Sequence, residues 1–465
     1  MISYISLLGL MTLTVLVFAG LGVVYSRGKI EGMDDFITAR GSTGTKMLSA
    51  TMMASFLGVF LLFTPPEAGI LGGLPAIIGY AMGVASLYIA FIVLGKRIRA
   101  YLPEGSLLTD YAFKRYGPRM YGLTVILSLF YMIVHLVAEL TAIGLVAHQL
   151  AEIPLFYTAI LVGLGTVIYT AYGGLRASIF TDLIQMLLVI LLLMGITVGT
   201  IYYGGGIKTI FEHVSMSQPQ LISFKNWPGI QYGITLCIAV FAANLFHQGY
   251  WQRIYAGKDQ SSLRKSLIIS IVLVIPVMII TGILGIVAAG QLESVNPSVA
   301  LFSLAYSLFP KGLIVALFIL ALVLVMSTVD TLLNGIVATL TIDGMRITRT
   351  FKKGRVLSLA RVLTILLIFP VALIASRGYS VLYLFFVADL VCAGVFFPLF
   401  FGLVSPHSTD KTALIAAILG IGSGIPFFMA GKLLLSFSIP VIVSGGLVLV
   451  TAKYIKNKTN TQLNN

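Results

Sequence analysis

The stretch Leu322–Gly335, LVLVMSTVDTLLNG, sets four polar side chains inside an apolar run reaching from about residue 312 to 342. Ser327, Asp330, Thr331 and Asn334 follow the spacing i, i+3, i+4, i+7, which is one face of an α-helix. A charged residue at the centre of a spanning helix costs about 2.5–3.5 kcal/mol on insertion scales, so it marks an ion or solute path. Hydroxyls and a carboxylate are all oxygen donors, a set that suits a small hard cation.

Other polar groups interrupt the apolar runs at four places. His135 and Glu139 stand one helical turn apart, able to line a solute pathway or to satisfy each other in the core. Asp182, with Gln185 on the same face, follows the turn Gly173–Gly174, and its alternatives are a cation site or a pair with Arg176. Asn244, His247 and Gln248 lie among Phe246, Tyr250 and Trp251. Aromatic walls with a few oriented polar groups suit a small-solute pocket, whereas Trp251 and Arg253 read as an interfacial belt with the arginine snorkelling to water. Asp389 sits within FFVADLVCAG, and its alternatives are a proton site, a gate residue or a partner of His247. In LSATMMASFLGVFLLFTPPEAGILGG, the small residues Ala50, Ala54, Ser55 and Gly58 allow close packing or a break in the helix. Pro65–Pro66 are expected to close that span, leaving Glu67 solvated at the surface.

The elements that must position these groups are membrane helices. The chain has 465 residues, 58% hydrophobic and only 10% charged, and its mean hydropathy is +1.02. A soluble domain would carry about 25% charged residues. Hydropathy divides the chain into about 13 spans: 2–25, 47–66, 74–95, 119–148, 154–172, 178–203, 229–249, 266–290, 312–342, 357–376, 380–404, 412–430 and 434–452. With the N-terminus outside, only Lys208, Lys225, Lys311, Arg377 and Lys432 fall in outer connections; the other 25 of the 30 basic residues fall in inner ones. That asymmetry predicts an external N-terminus and a cytoplasmic C-terminus in the cell membrane. It also accounts for the net charge of +14 without nucleic acid. Ile207–Val214 is expected as a short surface helix and 453–465 as a disordered tail. Cys237 and Cys392 have no disulfide or metal spacing, and no GxxxxGK[ST] occurs. No nucleophile–base constellation is present, so an enzyme is not expected.

Three stretches in order, GGLRASIFTDLIQ (Gly173–Gln185), YWQRIYAGKD (Tyr250–Asp259) and MSTVDTLLN (Met326–Asn334), resemble the sodium:solute symporter family of proline, pantothenate, sialic acid and sodium–glucose transporters. The resemblance runs through spans two to eleven. It implies an all-α polytopic membrane protein with a LeuT-like fold of two inverted five-helix repeats, 47–203 and 229–404, the first helix of each being broken. Helices 2–25 and 412–452 would then be peripheral. It implies a main sodium site from carbonyls at Met53, Phe56 and Leu324 and the hydroxyls of Ser327 and Thr328. A second cation or proton site would fall at Asp182, Ser327, Asp330 and Thr331. Ser55, Glu139, Asn244, His247 and Gln248 would face the solute, with His247 at the position of an aromatic gate.

There are departures from the family pattern. Ser55 stands where the proline transporter has an acid, and the sugar branch's glutamine is matched by an apolar residue around Phe60. A sugar is therefore disfavoured and a proline-like zwitterion is not directly supported. The expected function is sodium-coupled import of a small polar organic solute, with one or two sodium ions, no organic cofactor, no nucleic acid and no obligate protein partner. The alternatives are a proton-coupled carrier using Asp182, Asp330 or Glu139, and a solute sensor.

Overall fold

The computed structural model describes residues 3–30, 32–348 and 353–464. Arg349 and Lys352, two of the basic residues counted above, lie outside them. Among the described residues there is no strand, only one bridge between Thr43 and Gly257.

Helix α1 spans Tyr4–Ser26 and short α2 Met33–Ile37. Helix α3, Thr45–Phe56, stops at Leu57, and a 3-10 turn over Val59–Leu62 leads into α4, Thr64–Ala90. Pro65 and Pro66 occupy the first turn of α4. Proline lacks an N–H, which the first turn does not need, so the pair opens this helix instead of closing the one before. Glu67 is consequently buried, 7% exposed, and accepts a hydrogen bond from the Ser298 hydroxyl at 3.1 Å. This corrects the expectation of a solvated Glu67.

Gly73 then breaks α4, with φ 66° and ψ −157°. A Cβ there would stand 2.2 Å from the Leu221 carbonyl oxygen. The remainder of α4 passes through a π-helical turn into α5, Lys96–Tyr101. Helix α6 is Leu108–Arg115, α7 Pro118–Ala151 and α8 Leu155–Tyr203. The 49 residues of α8 would reach about 73 Å if straight, more than twice a bilayer's hydrocarbon. Gly174, at φ 52° and ψ −146°, folds it where a tight turn was expected.

The expected surface helix is present as α9, Ile207–Ser217. Helices α10, Trp227–Asn244, and α11, Gln248–Ala256, form one span bent by 64°. Asp259 caps α12, Gln260–Gln291, by accepting the Ser262 backbone N–H at 2.7 Å, and that bond holds its carboxyl below the ordinary aspartate range. Helices α13 (Ala300–Leu308), α14 (Lys311–Thr348), α15 (Lys353–Ala375), α16 (Val381–Phe400), α17 (Asp410–Met429) and α18 (Leu433–Asn464) complete the chain. The tail expected to be disordered continues α18 as helix to Asn464.

Among the described residues ten helices are long and apolar enough to cross a membrane, eleven with the bent pair. The expected 13 is reached only by also cutting the chain at Gly73 and Gly174.

Lipid offers no hydrophobic drive between helices, so close contact depends on small residues. Helix α4 meets α10 and α12 backbone to backbone. A Cβ on Gly229 would lie 2.0 Å from the Gly72 carbonyl oxygen, and one on Gly285 2.1 Å from that of Pro66. Helix α14 runs through the middle, against α3, α7, α8, α11 and α15.

A Gly174→Ala chain should lose more than about 2 kcal/mol, from the left-handed backbone and the clash with the Phe36 carbonyl. Gly195→Ala, where nothing lies within 4 Å, should be neutral or stabilising. Thermal unfolding of the two variants in detergent checks the contrast; equal midpoints would contradict it.

Candidate functional site

The break between α3 and α4 frees backbone groups in a place without bulk water, so other elements must satisfy them. The Val59 N–H donates to Glu139 Oε2 of α7 at 3.0 Å. The Ala54 carbonyl accepts from Ser327 Oγ of α14 at 2.9 Å. Gly58 leaves room for Glu139 and for Thr328: a Cβ there would lie 2.1 Å from Glu139 Oε1 and 2.6 Å from Thr328 Oγ1. Those two oxygens are buried and have no hydrogen-bond partner among the described residues. The carbonyls of Met53 and Phe56 accept the N–H groups of Leu57 and Gly58, at 2.7 and 3.0 Å. A carbonyl has two lone pairs, so each keeps one free. Leu324 lies one turn before Thr328 on α14. The donor set of carbonyls and hydroxyls at this break therefore suits a small hard cation.

Next to the break lies a buried charge cluster. Asp182 and Arg253 form an ion pair at 2.9 Å, and both side chains are fully buried. Arg253 Nη2 also lies 2.8 Å from Ser178 Oγ and 2.8 Å from Thr331 Oγ1, its Nη1 donates to the Gly249 carbonyl, and its Nε donates to Thr51 Oγ1. Thr51 in turn donates to Asp182 Oδ2 at 2.5 Å. Asp330 accepts from Tyr169 at 2.9 Å and from Ser178 at 2.8 Å. Ser327 Oγ reaches Asp182 Oδ1 at 2.6 Å, so its one proton serves two acceptors.

The interfacial reading of Trp251 and Arg253 is thus overturned, since both are 0% exposed. Two buried carboxylates require a counter-charge nearby, and that requirement is the one signal in the sequence that calls for a buried basic residue, without saying which. Arg176, the other candidate partner of Asp182, binds Asp35 instead.

A narrow cavity of about 30 Å³ adjoins the break. Its acids are Glu139 and Asp389, and its rings are Phe56, Phe60, Tyr80, Tyr250 and Phe385. Asn244, His135, His247 and Thr328 complete the polar lining. Asn244 Oδ1 accepts from Tyr131 at 2.9 Å, and His247 stacks on Tyr250 with centroids 4.1 Å apart. His135 Nε2 and His247 Nε2 are buried without a partner among the described residues.

Of the expected solute residues, Glu139, Asn244 and His247 line this space, while Ser55 and Gln248 do not. Ser55 Oγ turns back to the Met52 carbonyl at 3.3 Å. Gln248 accepts the Leu108 N–H at 2.8 Å and donates to Ser128 at 2.7 Å, which ties it to the start of α6. At the same end Arg346 binds Asp110 and Asp343. Tyr250, expected as an aromatic wall, lines the space, whereas Tyr80 and Phe385 carried no mark in the sequence beyond being aromatic.

The sodium:solute symporter family profile matches residues 36–420. The chain belongs to that family. Among curated proteins, this symporter-family chain is 26% identical over 380 residues to a spermidine transporter of Candida albicans, covering 81% of this chain and 70% of the relative. It is 25% identical over 477 residues to a sodium/glucose cotransporter of Vibrio parahaemolyticus, covering 90% and 85%. A solved Na+-coupled sialic acid symporter in a substrate-bound outward-open state superposes with a TM-score of 0.77 at 17% identity, covering 96% and 97%. A protein solved in complex with L-phenylalanine gives 0.58 at 16% identity, covering 89% and 98%. The fold is therefore LeuT-like, as the resemblance implied. As a family member the chain is a membrane-spanning solute transporter.

Removing one partner of a buried ion pair costs about 3–5 kcal/mol. Arg253→Met should therefore strip most folded protein from a detergent preparation. The double variant with Asp182→Asn should recover much of it, as read by size-exclusion profile and thermal midpoint. If the double variant is no better than the single, the pair is not what fastens α11 to α8.

Proposed function

We propose that the chain is a sodium-coupled symporter that brings a small organic cation, an amine carrying one or more ammonium groups, across the cell membrane by alternating access. The cavity carries this reading: two carboxylates, Glu139 and Asp389, face a space walled by aromatic rings, and neither lysine nor arginine lines it. Carboxylates supply charge, and each ring face adds about 0.5–2 kcal/mol for a cation over it. An anionic solute would meet like charges there. The relative named as a spermidine transporter points the same way. Relatives named for glucose and pantothenate limit how far names alone decide the solute.

The coupling sodium is assigned to the carbonyls of Met53, Phe56 and Leu324 with the hydroxyls of Ser327 and Thr328. Support comes from the partnerless Thr328 hydroxyl beside the break. The ion would fix the broken helix against α14 and so complete the wall of the cavity that Phe56 and Thr328 share with it. Since a ligand shifts an equilibrium only by its differential affinity, sodium and amine favour each other through that shared wall.

Residues 47–203 and 229–404 are taken as the two repeats, 2–25 and 412–452 as peripheral helices, and the basic connections as cytoplasmic. The cluster of Arg346 with Asp110 and Asp343 then closes the inner end.

A second reading has its own support. Asp182, Asp330 and Thr331 surround one guanidinium, and two carboxylates with one arginine leave a negative charge for a proton or a second sodium ion.

Uptake of radiolabelled spermidine into liposomes, with sodium and pH gradients imposed separately, tests both readings. Sodium-driven uptake supports the first and proton-driven uptake the second; uptake driven by neither refutes coupled amine transport. Thr328→Ala should raise the sodium concentration for half-maximal uptake at least ten-fold, and an unchanged requirement moves the ion elsewhere. Glu139→Gln or Asp389→Asn should weaken amine affinity ten-fold or more. Affinity that survives both substitutions would remove the charge argument.

A further inference from the structure

The ligands assigned to the coupling sodium are the carbonyls of Met53, Phe56 and Leu324 and the hydroxyls of Ser327 and Thr328, and all of them are neutral. A cation held at bilayer depth by neutral dipoles alone leaves its charge uncompensated and far from water, which is costly. A carboxylate stands at the edge of this set.

The backbone turn after Leu57 holds that carboxylate in place. Glu139, only 1% exposed, accepts the Val59 N–H at Oε2, 3.0 Å away, and the Phe60 N–H also acts on the carboxylate. Its other oxygen, Oε1, is turned across Gly58 toward Thr328 Oγ1 of α14. A Cβ on Gly58 would lie 2.1 Å from Oε1 and 2.6 Å from Oγ1, so these two oxygens are at most 4.7 Å apart. Both are buried, and neither has a hydrogen-bond partner among the described residues. Two sheltered oxygens facing each other without a donor are destabilising unless a cation meets them. Glycine keeps the gap between them clear of any side chain.

The other acids nearby are engaged elsewhere. Asp182 reaches Ser327 Oγ, but Arg253 matches its charge at 2.9 Å. Asp330 accepts from Tyr169 and Ser178. Asp389 lines the cavity from α16. No lysine or arginine lines the cavity to balance Glu139.

We propose that Glu139 is a direct ligand of the coupling sodium, its Oε1 joining Thr328 Oγ1 and the carbonyls freed at the break. The inference rests on the sodium assignment made above and adds to it the charged ligand that the neutral set lacks. Glu139 lines the solute cavity as well, so one carboxylate touches both transported species.

Equilibrium binding of radiolabelled sodium to the purified full chain, with no amine present, tests it. The wild type should bind sodium saturably. Glu139→Gln should raise the sodium concentration for half-saturation about ten-fold or more, whereas Asp389→Asn, which removes an acid from the same cavity, should change it less than about two-fold. A Glu139→Gln chain that binds sodium as the wild type does overturns the proposal, and the cationic reading still stands if its amine affinity falls. Equal losses in the two variants also overturn it, because the cavity's charge and not a bond to the ion is then responsible. Should Glu139→Gln fail to fold, Glu139→Asp keeps the charge but draws the carboxylate back by one methylene and should raise the same concentration; a wild-type value there overturns the proposal. A wild type that binds no sodium overturns the sodium assignment with it.

Discussion

A hydrogen bond opened inside a membrane has to be closed by protein, and most of this structure's chemistry follows from that rule at Leu57–Gly58. Freeing the Val59 N–H brings in Glu139, and freeing the Ala54 carbonyl brings in Ser327. Each partner comes from a different helix, so the break gathers α7 and α14 around itself. Glycine at position 58 is what lets them approach. Once gathered, the partners have unused valence: Glu139 Oε1, Thr328 Oγ1 and one lone pair on each of two carbonyls. What the backbone accounting leaves over is a set of oxygens suited to a small hard cation.

The neighbouring charge cluster answers the same rule for side chains. Asp182 and Asp330 are affordable because Arg253 lies between them, bonded to both acids' hydroxyl partners. Arg253 belongs to the second broken span, Thr51 to the first, and Ser327 to α14. One guanidinium thereby ties both broken spans to α8 and α14.

Much of this was legible in the sequence because periodicity and charge asymmetry are strong signals in membranes. The stripe Ser327, Asp330, Thr331, Asn334 announced a buried polar face, and the small residues around Gly58 narrowed the choice there to close packing or a break. Position 174 read as a turn from its glycines alone. What failed shared one cause. Pro65–Pro66 can end a helix or begin one, and only the tertiary setting chooses, so Glu67 was placed in water when it is buried. Arg253, beside a tryptophan near a span's end, has the local pattern of an interfacial anchor. Its partner lies 71 residues away, beyond any local pattern. Gln248 looked like a solute contact because it is polar among aromatics, yet it caps a distant helix. Polarity in a span shows that a residue has a partner, without naming it.

The fold of α8 at Gly174 has a mechanical meaning. A connection of several residues is a tether with slack, and two spans joined by it slide and tilt independently. A single glycine within a continuous helix is a bracket. Asp182 sits two turns beyond that bracket, on one limb, while the other limb packs against α1, α7 and α15. The limb that carries Asp182 is therefore set in place by one residue's backbone, with no loop between it and the limb packed on α1.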